Sequence, residues 1–264
     1  MKVVIFCGGL GVRMREVSEE IPKPMLRIGD RPILWHIMKY YAHYGFQDFI
    51  LCLGYRAITV KNYFLGYSEL AANDFVISRG GKEVRHLPSE IDGWNITLVD
   101  TGLHTNIGQR LKKIQPLLEG DELFLANYGD NLTDAPLDEM VQEMRDDPSQ
   151  VAAFLCVPPS HSFHVVTCVG TGKKCSVGRI ATAKDSNLWI NGGYFVLRRE
   201  IFPYLEGGRE LVPDAFNALR EDGKLVAWRH EGFWASMDTP KEMYFLNELY
   251  SNGQAKWAKW DREL

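Results

Sequence analysis

Short apolar runs alternate with helix-patterned segments through the first 130 residues of the chain. The strand-type runs lie at residues 3–6, 49–53, 75–77, 94–99 and 123–126. Helical patterns begin at residue 32 and recur at residues 57–65 and at about 106–118. In the first of these, Ile33, Ile37 and Tyr41 share one apolar face. This alternation predicts an α/β fold with a Rossmann-like, mixed but largely parallel sheet flanked by helices.

The pattern changes after residue 150. Successive strand-type runs at 151–157, 165–169, 175–182 and 190–197 are separated by Pro, Ser, Gly and Lys clusters, which favours antiparallel or mixed pairing. Helical patterns return at 213–220 and 240–249. Because 264 residues contain no long linker or repeat, we expect one domain over residues 1–264. Its second half, about 151–264, would be a smaller β-rich elaboration of the first, about 1–150.

Composition excludes several classes of protein. The 30 basic and 34 acidic residues are interspersed and give a net charge of −4. The sequence therefore has no excess of positive charge for binding nucleic acid. No apolar run approaches the roughly 20 residues of a membrane span, and we expect a cytoplasmic protein. The five cysteines form no C-x-x-C pair, which argues against zinc and disulfides and predicts mostly core thiols.

A glycine-rich segment follows the first predicted strand, where an open parallel sheet presents its carboxyl edge to ligands. Gly8, Gly9 and Gly11 would let backbone N–H groups approach a phosphate or a base closely. The dinucleotide fingerprint fails because Met14 stands where a small residue is required, and no Gly-Lys-Ser/Thr of a P-loop occurs. A plain surface turn is the alternative interpretation of the glycines alone.

Two cations follow the glycines. Arg13 comes two residues after Gly11, and Lys23 stands between Pro22 and Pro24. Because proline fixes φ, the bracket would hold the backbone of Lys23 rigidly. Arg13 and Lys23 together predict a cradle for a triphosphate.

Two aspartates fall at positions suited to a metal. Asp130 ends a hydrophobic strand in Tyr128-Gly129-Asp130, and Asp238 precedes a predicted helix. Mg²⁺ is commonly held by one or two carboxylates together with substrate phosphates. For Asp238 alone, an ordinary helix N-cap is the simpler interpretation.

Taken together, these motifs resemble the sugar-1-phosphate nucleotidylyltransferases, and among them most closely the glucose-1-phosphate cytidylyltransferases. The matching segments run in the family's order from residue 1 to about 260. They are GGLGVR at 8–13, PKPM at 22–25, PILWHIM at 32–38, WNITLVDTG at 94–102, YGD at 128–130, INGG at 190–193 and MDT at 237–239.

The resemblance implies a role for each matching residue. The catalytic residues would be Arg13, Lys23 and Asp130. The nucleotide would contact Gly8, Gly9, Gly11, Arg13, Thr101, Gly102 and Arg110. The sugar phosphate would contact Tyr128, Lys184, Asn191 and Gly192. Asp130 and Asp238 would bind Mg²⁺, and the family's habit implies a homo-oligomer.

The implied activity joins a sugar 1-phosphate to a nucleoside triphosphate, with CTP as the implied donor, and releases pyrophosphate. UTP or dTTP stays open, because backbone contacts read pyrimidine edges similarly. A non-catalytic nucleotide or sugar-phosphate binder of the same fold is a second class. An NAD-dependent oxidoreductase is a third, disfavoured by Met14 and by Asp30 lying in a Gly-Asp-Arg-Pro turn.

The acceptor side departs from the family pattern. Where the family carries Glu-Lys-Pro, this chain has Ala183-Lys184-Asp185, and Phe163-His164-Val165 replaces Phe-Gly-Ala. A lost carboxylate would leave sugar hydroxyls without charge-assisted partners. The acceptor is therefore a modified or less hydroxylated phosphorylated molecule, or it is glucose 1-phosphate with Asp185 or a neighbour restoring the contact.

Overall fold

A computed structural model describes residues 1–9, 21–67, 75–87, 89, 91–159 and 164–262. Its strands in chain order are β1 (Lys2–Cys7), β2 (Arg27–Ile28), β3 (Arg31–Pro32), β4 (Asp48–Leu53), β5 (Phe75–Ser78), β6 (Glu83–His86), β7 (Asn95–Asp100), β8 (Leu123–Asn127), β9 (Asn131–Thr133), β10 (Ala152–Val157), β11 (His164–Val169), β12 (Ser176–Thr182), β13 (Ile190–Arg198), β14 (Leu225–Arg229) and β15 (Trp234–Ser236). Its α-helices are α1 (Ile33–His43), α2 (Ala57–Leu65), α3 (Ile107–Ile114), α4 (Leu137–Asp146), α5 (Phe216–Glu221) and α6 (Pro240–Ser251).

The central sheet has seven strands in the order β14-β10-β13-β8-β1-β4-β7. All of them run in one direction except β13, which is antiparallel to both neighbours. The carboxyl ends of β1, β4, β7 and β8 therefore meet at one edge, here called the carboxyl edge, together with the amino end of β13. The prediction of a mixed, largely parallel sheet is confirmed.

The inner strands of the sheet are buried on both faces, as is usual for parallel strands, whereas the edge strands β7 and β14 are partly exposed. Along β1, Val3 and Ile5 join one apolar cluster, while Val4 and Phe6 join a second cluster on the opposite face. All four side chains are at most 4% exposed. The continuous apolar run of this strand thus reflects two covered faces, with helices packed on each side.

Helix α1 is buried more completely than its sequence pattern indicates. Ile33, Ile37 and Tyr41 are buried as predicted, but His36 and Tyr40 on other faces are also at most 1% exposed. The indole Nε1 of Trp257, near the end of the described chain, lies 3.4 Å from His36 Nδ1 and covers that side. Burial lowers the pKa of His36 to about 4, so this histidine is a neutral core group.

Strands after residue 150 pair in both senses, as expected. β11 and β12 form a separate antiparallel ribbon, while β10 is antiparallel to β13 and parallel to β14. Helix α4 has no counterpart in the predicted elements; it is short and follows Pro136, and it buries Leu137, Met140, Val141 and Met144.

The cysteine prediction holds for three of the five residues. Cys7, Cys52 and Cys156 are buried, Cys175 is half-buried, and Cys168 is exposed on the β11–β12 ribbon, whose strands pair only with each other among the described strands. All five are free thiols. Among the described helices, none is both long and apolar enough to cross a membrane.

Candidate active site at the carboxyl edge

Asp130 and Asp238, far apart in sequence, are brought together by a two-stranded pairing. β9 begins directly after Asp130, and β15 ends two residues before Asp238. Their antiparallel register sets Ser236 opposite Asn131, and Met237 N donates to Asp130 O at 2.9 Å. The sequence predicted both carboxylates, and the structure places them beside each other at the carboxyl edge.

Lys23 lies between these two carboxylates. Its Nζ is 2.5 Å from Asp130 Oδ2 and also donates to Asp238 Oδ1. The ammonium side chain is 14% exposed, against 22% for Asp130 and 34% for Asp238. Burial alone would lower the pKa of Lys23, but the charges and hydrogen bonds of the two carboxylates outweigh it and raise that pKa. Lys23 is therefore a fixed positive charge at neutral pH.

The proline bracket holds the Lys23 backbone as predicted. Residues Lys23–Met25 form a 3-10 turn that begins after Pro22 at φ −65°, and Pro24 and Met25 are buried. The turn is closed by Leu26 N, which donates to Lys23 O at 3.1 Å. The ammonium thus extends from a backbone anchored in the core.

Gly129 allows the chain to turn sharply before Asp130. Its φ is +81°, and a Cβ there would lie 2.7 Å from Phe6 O in β1. Asn127 Oδ1 accepts from Gly129 N at 2.7 Å and braces the turn. A larger residue at 129 would push the β8 end, and with it Asp130, away from β1.

Asp238 is not the N-cap of α6. Thr239 occupies that position, and its side chain accepts from Glu242 N while the Glu242 carboxylate accepts from Thr239 N, which is a capping box. The same carboxylate accepts from Asp238 N at 2.8 Å. The helix-cap interpretation of Asp238 is therefore wrong, and Glu242 positions the Asp238 backbone. Its Thr-x-x-Glu signal is visible in the sequence.

A second cluster centres on the buried guanidinium of Arg110. Nη1 donates to Thr101 Oγ1 at 2.6 Å and to Leu53 O at 3.1 Å, and Nη2 donates to Gly8 O at 3.2 Å. These acceptors belong to the ends of β7, β4 and β1. Arg110 therefore joins three strand ends at the carboxyl edge, directly beneath the start of the glycine-rich segment.

Gly8 is required by this arrangement. A Cβ on Gly8 would lie 2.1 Å from Arg110 Nη1, whereas a Cβ on Gly9 would meet nothing within 4 Å. The three acceptors of Arg110 are neutral oxygens, and burial lowers the pKa of Arg110. An arginine still stays protonated, so its charge gives a positive potential beside Gly8, Thr101 and Gly102.

Three of the four predicted acceptor residues, Tyr128, Asn191 and Gly192, gather at the amino end of β13. Asn191 Nδ2 donates to Tyr128 OH at 3.2 Å, and Asn191 Oδ1 accepts from Gly193 N. Burial raises the pKa of Tyr128 to about 12, so its hydroxyl stays a donor. Gly192 O accepts from Trp234 Nε1 at 2.8 Å. Trp234 was not predicted, and its contact depends on the fold rather than on a local motif.

The segment that departs from the family pattern borders an open cavity. Ala183 is 1% exposed and its methyl side chain has no hydrogen-bonding group, while Asp185 Oδ2 accepts from Thr182 Oγ1 at 2.5 Å. The cavity is about 350 Å³. It is lined by Pro158, Asp185, Asn187, Leu188, Trp189 and Glu231.

Three predicted residues are not placed by this geometry. Gly11 and Arg13 lie outside the described residues, and Lys184 belongs to the 3-10 turn Lys184–Ser186 with its side chain not described. His164 is the first residue of β11 and is exposed.

Comparison with known proteins extends the resemblance to the whole chain. The family model described as Nucleotidyl transferase matches residues 2–235. The glucose-1-phosphate cytidylyltransferase of Salmonella typhimurium is 34% identical over 99% of this chain and all of its own length. The Bacillus subtilis protein named "Probable glucose-1-phosphate cytidylyltransferase" is 37% identical over 98% of this chain and all of its own.

A solved structure shows the same fold. A UTP-bound UGPase from Acinetobacter baumannii superposes with a TM-score of 0.68 at 16% identity, covering 99% of this chain and 97% of that one. At this identity the match concerns the arrangement of strands and helices alone.

Proposed function

The chain belongs to the nucleotidyl transferase family, and we propose that it joins CTP and a sugar 1-phosphate into a CDP-sugar, with release of pyrophosphate. Glucose 1-phosphate is the first acceptor to test, because the relatives that match over their whole length are named for it. The observation that carries the proposal is the convergence of Lys23, Asp130 and Asp238 at the carboxyl edge.

The reaction needs positioning more than proton transfer. An oxygen of the acceptor phosphate attacks the α-phosphorus of the triphosphate, and the bond from that phosphorus to the β-bridging oxygen breaks. The attacking oxygen is largely ionised near neutrality, since the second pKa of a phosphate monoester is about 6. No general base is required, and the remaining difficulty is to align two anions while charge grows on pyrophosphate.

Asp130 and Asp238 would hold a Mg²⁺ ion. They fit one: both are hard oxygen donors, both are partly exposed, and both already contact the same cation, the Lys23 ammonium. No group of three or more His, Cys, Asp or Glu side chains suited to a metal occurs in the described part of the chain, so phosphate and water would complete the coordination. When bound, the ion supplies neutralisation of phosphate charge.

The nucleotide would lie over the Arg110 cluster. Gly8 and Gly9 would present their backbone to it, and Thr101 and Gly102 would border the base. The buried charge of Arg110 favours an anion beside Gly8. Gly11 and Arg13 follow directly in the sequence, and we propose that Arg13 steadies the departing pyrophosphate while Lys23 binds the reacting phosphates.

The acceptor would lie toward β13. Within one domain, residues of about 1–150 would mainly bind the nucleotide and residues of about 151–264 would mainly bind the sugar phosphate. Tyr128, Asn191 and Gly192 would orient its sugar, and Lys184 would bind its phosphate. The Ala183 side chain has no acceptor for hydroxyls, so an unmodified glucose would need Asp185 or another neighbour. We also propose that the protein forms a homo-oligomer, as the family resemblance implies.

A substrate matrix tests the function. CTP, UTP, dTTP and GTP are each mixed with Mg²⁺ and with glucose 1-phosphate, other sugar 1-phosphates and deoxy analogues, and pyrophosphate release is measured. We expect release with CTP and one acceptor class. Efficient use of glucose 1-phosphate would reject a modified acceptor, and no release in any combination would reject the enzyme in favour of a nucleotide-binding protein.

A further inference from the structure

The ammonium of Lys23 occupies the position between the two carboxylates assigned to Mg²⁺. Nζ is 2.5 Å from Asp130 Oδ2 and contacts Asp238 Oδ1 as well. Mg²⁺ binds carboxylate oxygens at about 2.0–2.1 Å. An ion bridging these same oxygens would overlap the ammonium, so the two cations exclude each other from this position.

Lys23 can leave only by moving its side chain. Its backbone is held in the turn that starts after Pro22, with Pro24 and Met25 buried against the core. The side chain itself is a four-carbon stem that can rotate. Moving it separates an ammonium that is 14% exposed from its two carboxylate partners. Removing the partners of a largely buried charge costs far more free energy than an exposed ion pair contributes to stability.

A triphosphate changes this balance. Its oxygens are strong acceptors for an ammonium and would replace the carboxylates as partners of Lys23. A divalent ion arriving without a triphosphate offers Lys23 no such partner. Displacing the Lys23 ammonium from the carboxylates therefore costs less free energy when a triphosphate is present than when a divalent ion arrives alone.

We propose that Lys23 couples metal binding to triphosphate binding: its ammonium holds the carboxylate pair in the metal-free protein, opposes a divalent ion that arrives alone, and turns to the phosphates when both arrive. This inference rests on the proposed function, since it takes Asp130 and Asp238 as the metal ligands. By thermodynamic linkage, metal and triphosphate then strengthen each other's binding by the same factor, typically about 5- to 150-fold.

The first test measures metal binding without nucleotide. Mn²⁺ serves as the probe, and its free concentration is followed by electron paramagnetic resonance with the native chain, Lys23→Met and Lys2→Met. Lys2 is a matched control: its Nζ is 2.6 Å from Asp121 Oδ2, but it starts β1 at the opposite edge of the sheet.

We expect Lys23→Met to bind Mn²⁺ at least tenfold more tightly than the native chain, and Lys2→Met to stay within twofold of native. Equal binding by the native chain and Lys23→Met would overturn the proposal. Asp130→Asn in the Lys23→Met background must abolish the tighter binding; its persistence would place the ion elsewhere and also overturn it.

The second test measures the coupling directly. The affinity for α,β-methylene CTP, which resists nucleotidyl transfer, is compared with and without Mn²⁺. We expect the enhancement by Mn²⁺ to be at least fivefold larger in the native chain than in Lys23→Met, and equal enhancement would contradict the coupling. Association of Mn²⁺ with the analogue in solution is the same in both, so the ratio isolates Lys23.

Lys23→Gln repeats both tests if Lys23→Met does not fold, because its amide still donates to the carboxylates without a charge. These readouts are binding constants and do not depend on turnover. Failure of the enzyme assay and failure of the coupling are therefore distinguishable.

Discussion

The two regions of the carboxyl edge that we propose to bind the nucleotide and the acceptor, here called the nucleotide side and the acceptor side, are built differently. On the nucleotide side, Arg110 joins the ends of three strands through buried hydrogen bonds between residues far apart in the chain. On the acceptor side, Thr182, Asp185 and Ser186 bond mainly to their own neighbours and lie at or near the surface. The first region cannot change without loosening the sheet, whereas the second can change while the sheet stays intact.

This contrast explains where the chain departs from its family. His164 is the first residue of the β11–β12 ribbon and Ala183 directly follows its last residue, so both replaced positions lie outside the central sheet. A different acceptor could be accommodated there at little cost to stability. The proposed nucleotide and metal residues that the structure describes are attached to the central sheet or to its small neighbouring pairings.

The largest expected effect is on turnover. It comes from changing the carboxylate pair Asp130 and Asp238, where the nucleotide side and the acceptor side meet. Asp238→Ala removes one of two proposed metal ligands, and we expect turnover to fall at least about a hundredfold, or about 2.7 kcal/mol of barrier. Asp121→Ala is the control, since Asp121 also pairs with a lysine but at the opposite edge. Turnover of Asp238→Ala within a few fold of native would remove Asp238 from the site.

A smaller effect, on stability, tests the rigidity of the nucleotide side. Gly8→Ala forces a Cβ against the Arg110 guanidinium, and we expect the free energy of unfolding to fall by about 1–3 kcal/mol in denaturant titrations. Gly9→Ala meets no atom within 4 Å and should unfold like the native chain. Equal stability of the two variants would mean that Arg110 is not held as described.

The smallest effect on stability is expected on the acceptor side. Asp185→Asn lies at an exposed turn, so the melting temperature should stay within about 2 °C of native. The KM for the sugar phosphate should change while the KM for CTP does not, because Asp185 belongs to the segment that we propose to contact the acceptor. A change in the KM for CTP instead would contradict the division into two sides.

Local signals in the sequence account for much of the fold and part of the site. The strand runs at 3–6, 49–53 and 123–126 and the helix at 57–65 reappear within a residue or two, because their patterns reflect burial on both faces or on one. The proline bracket at Lys23 also acts locally. Thr239 and Glu242 form a capping box, and its Thr-x-x-Glu pattern lies within four consecutive residues.

Non-local pairings account for what could not be predicted. The three-residue ladder of β9 and β15 brings Asp238 to Asp130, yet neither strand is long enough to carry a pattern. The contact of Trp234 with Gly192 O and the position of the Lys23 ammonium depend on the assembled sheet. The roles of Gly11, Arg13 and Lys184 stay predictions.

The fate of the α-phosphate tests the central claim most directly. The native chain is incubated with Mg²⁺, an acceptor identified by the substrate matrix, and CTP labelled with radioactive phosphorus at the α-position; the products are then separated. We expect all of the transferred label to appear in the nucleotide sugar and pyrophosphate to be released unlabelled in equal amount. Labelled CMP or CDP, together with an acceptor that has gained only unlabelled phosphate, would show attack at the β- or γ-phosphorus and would contradict attack at the α-phosphorus.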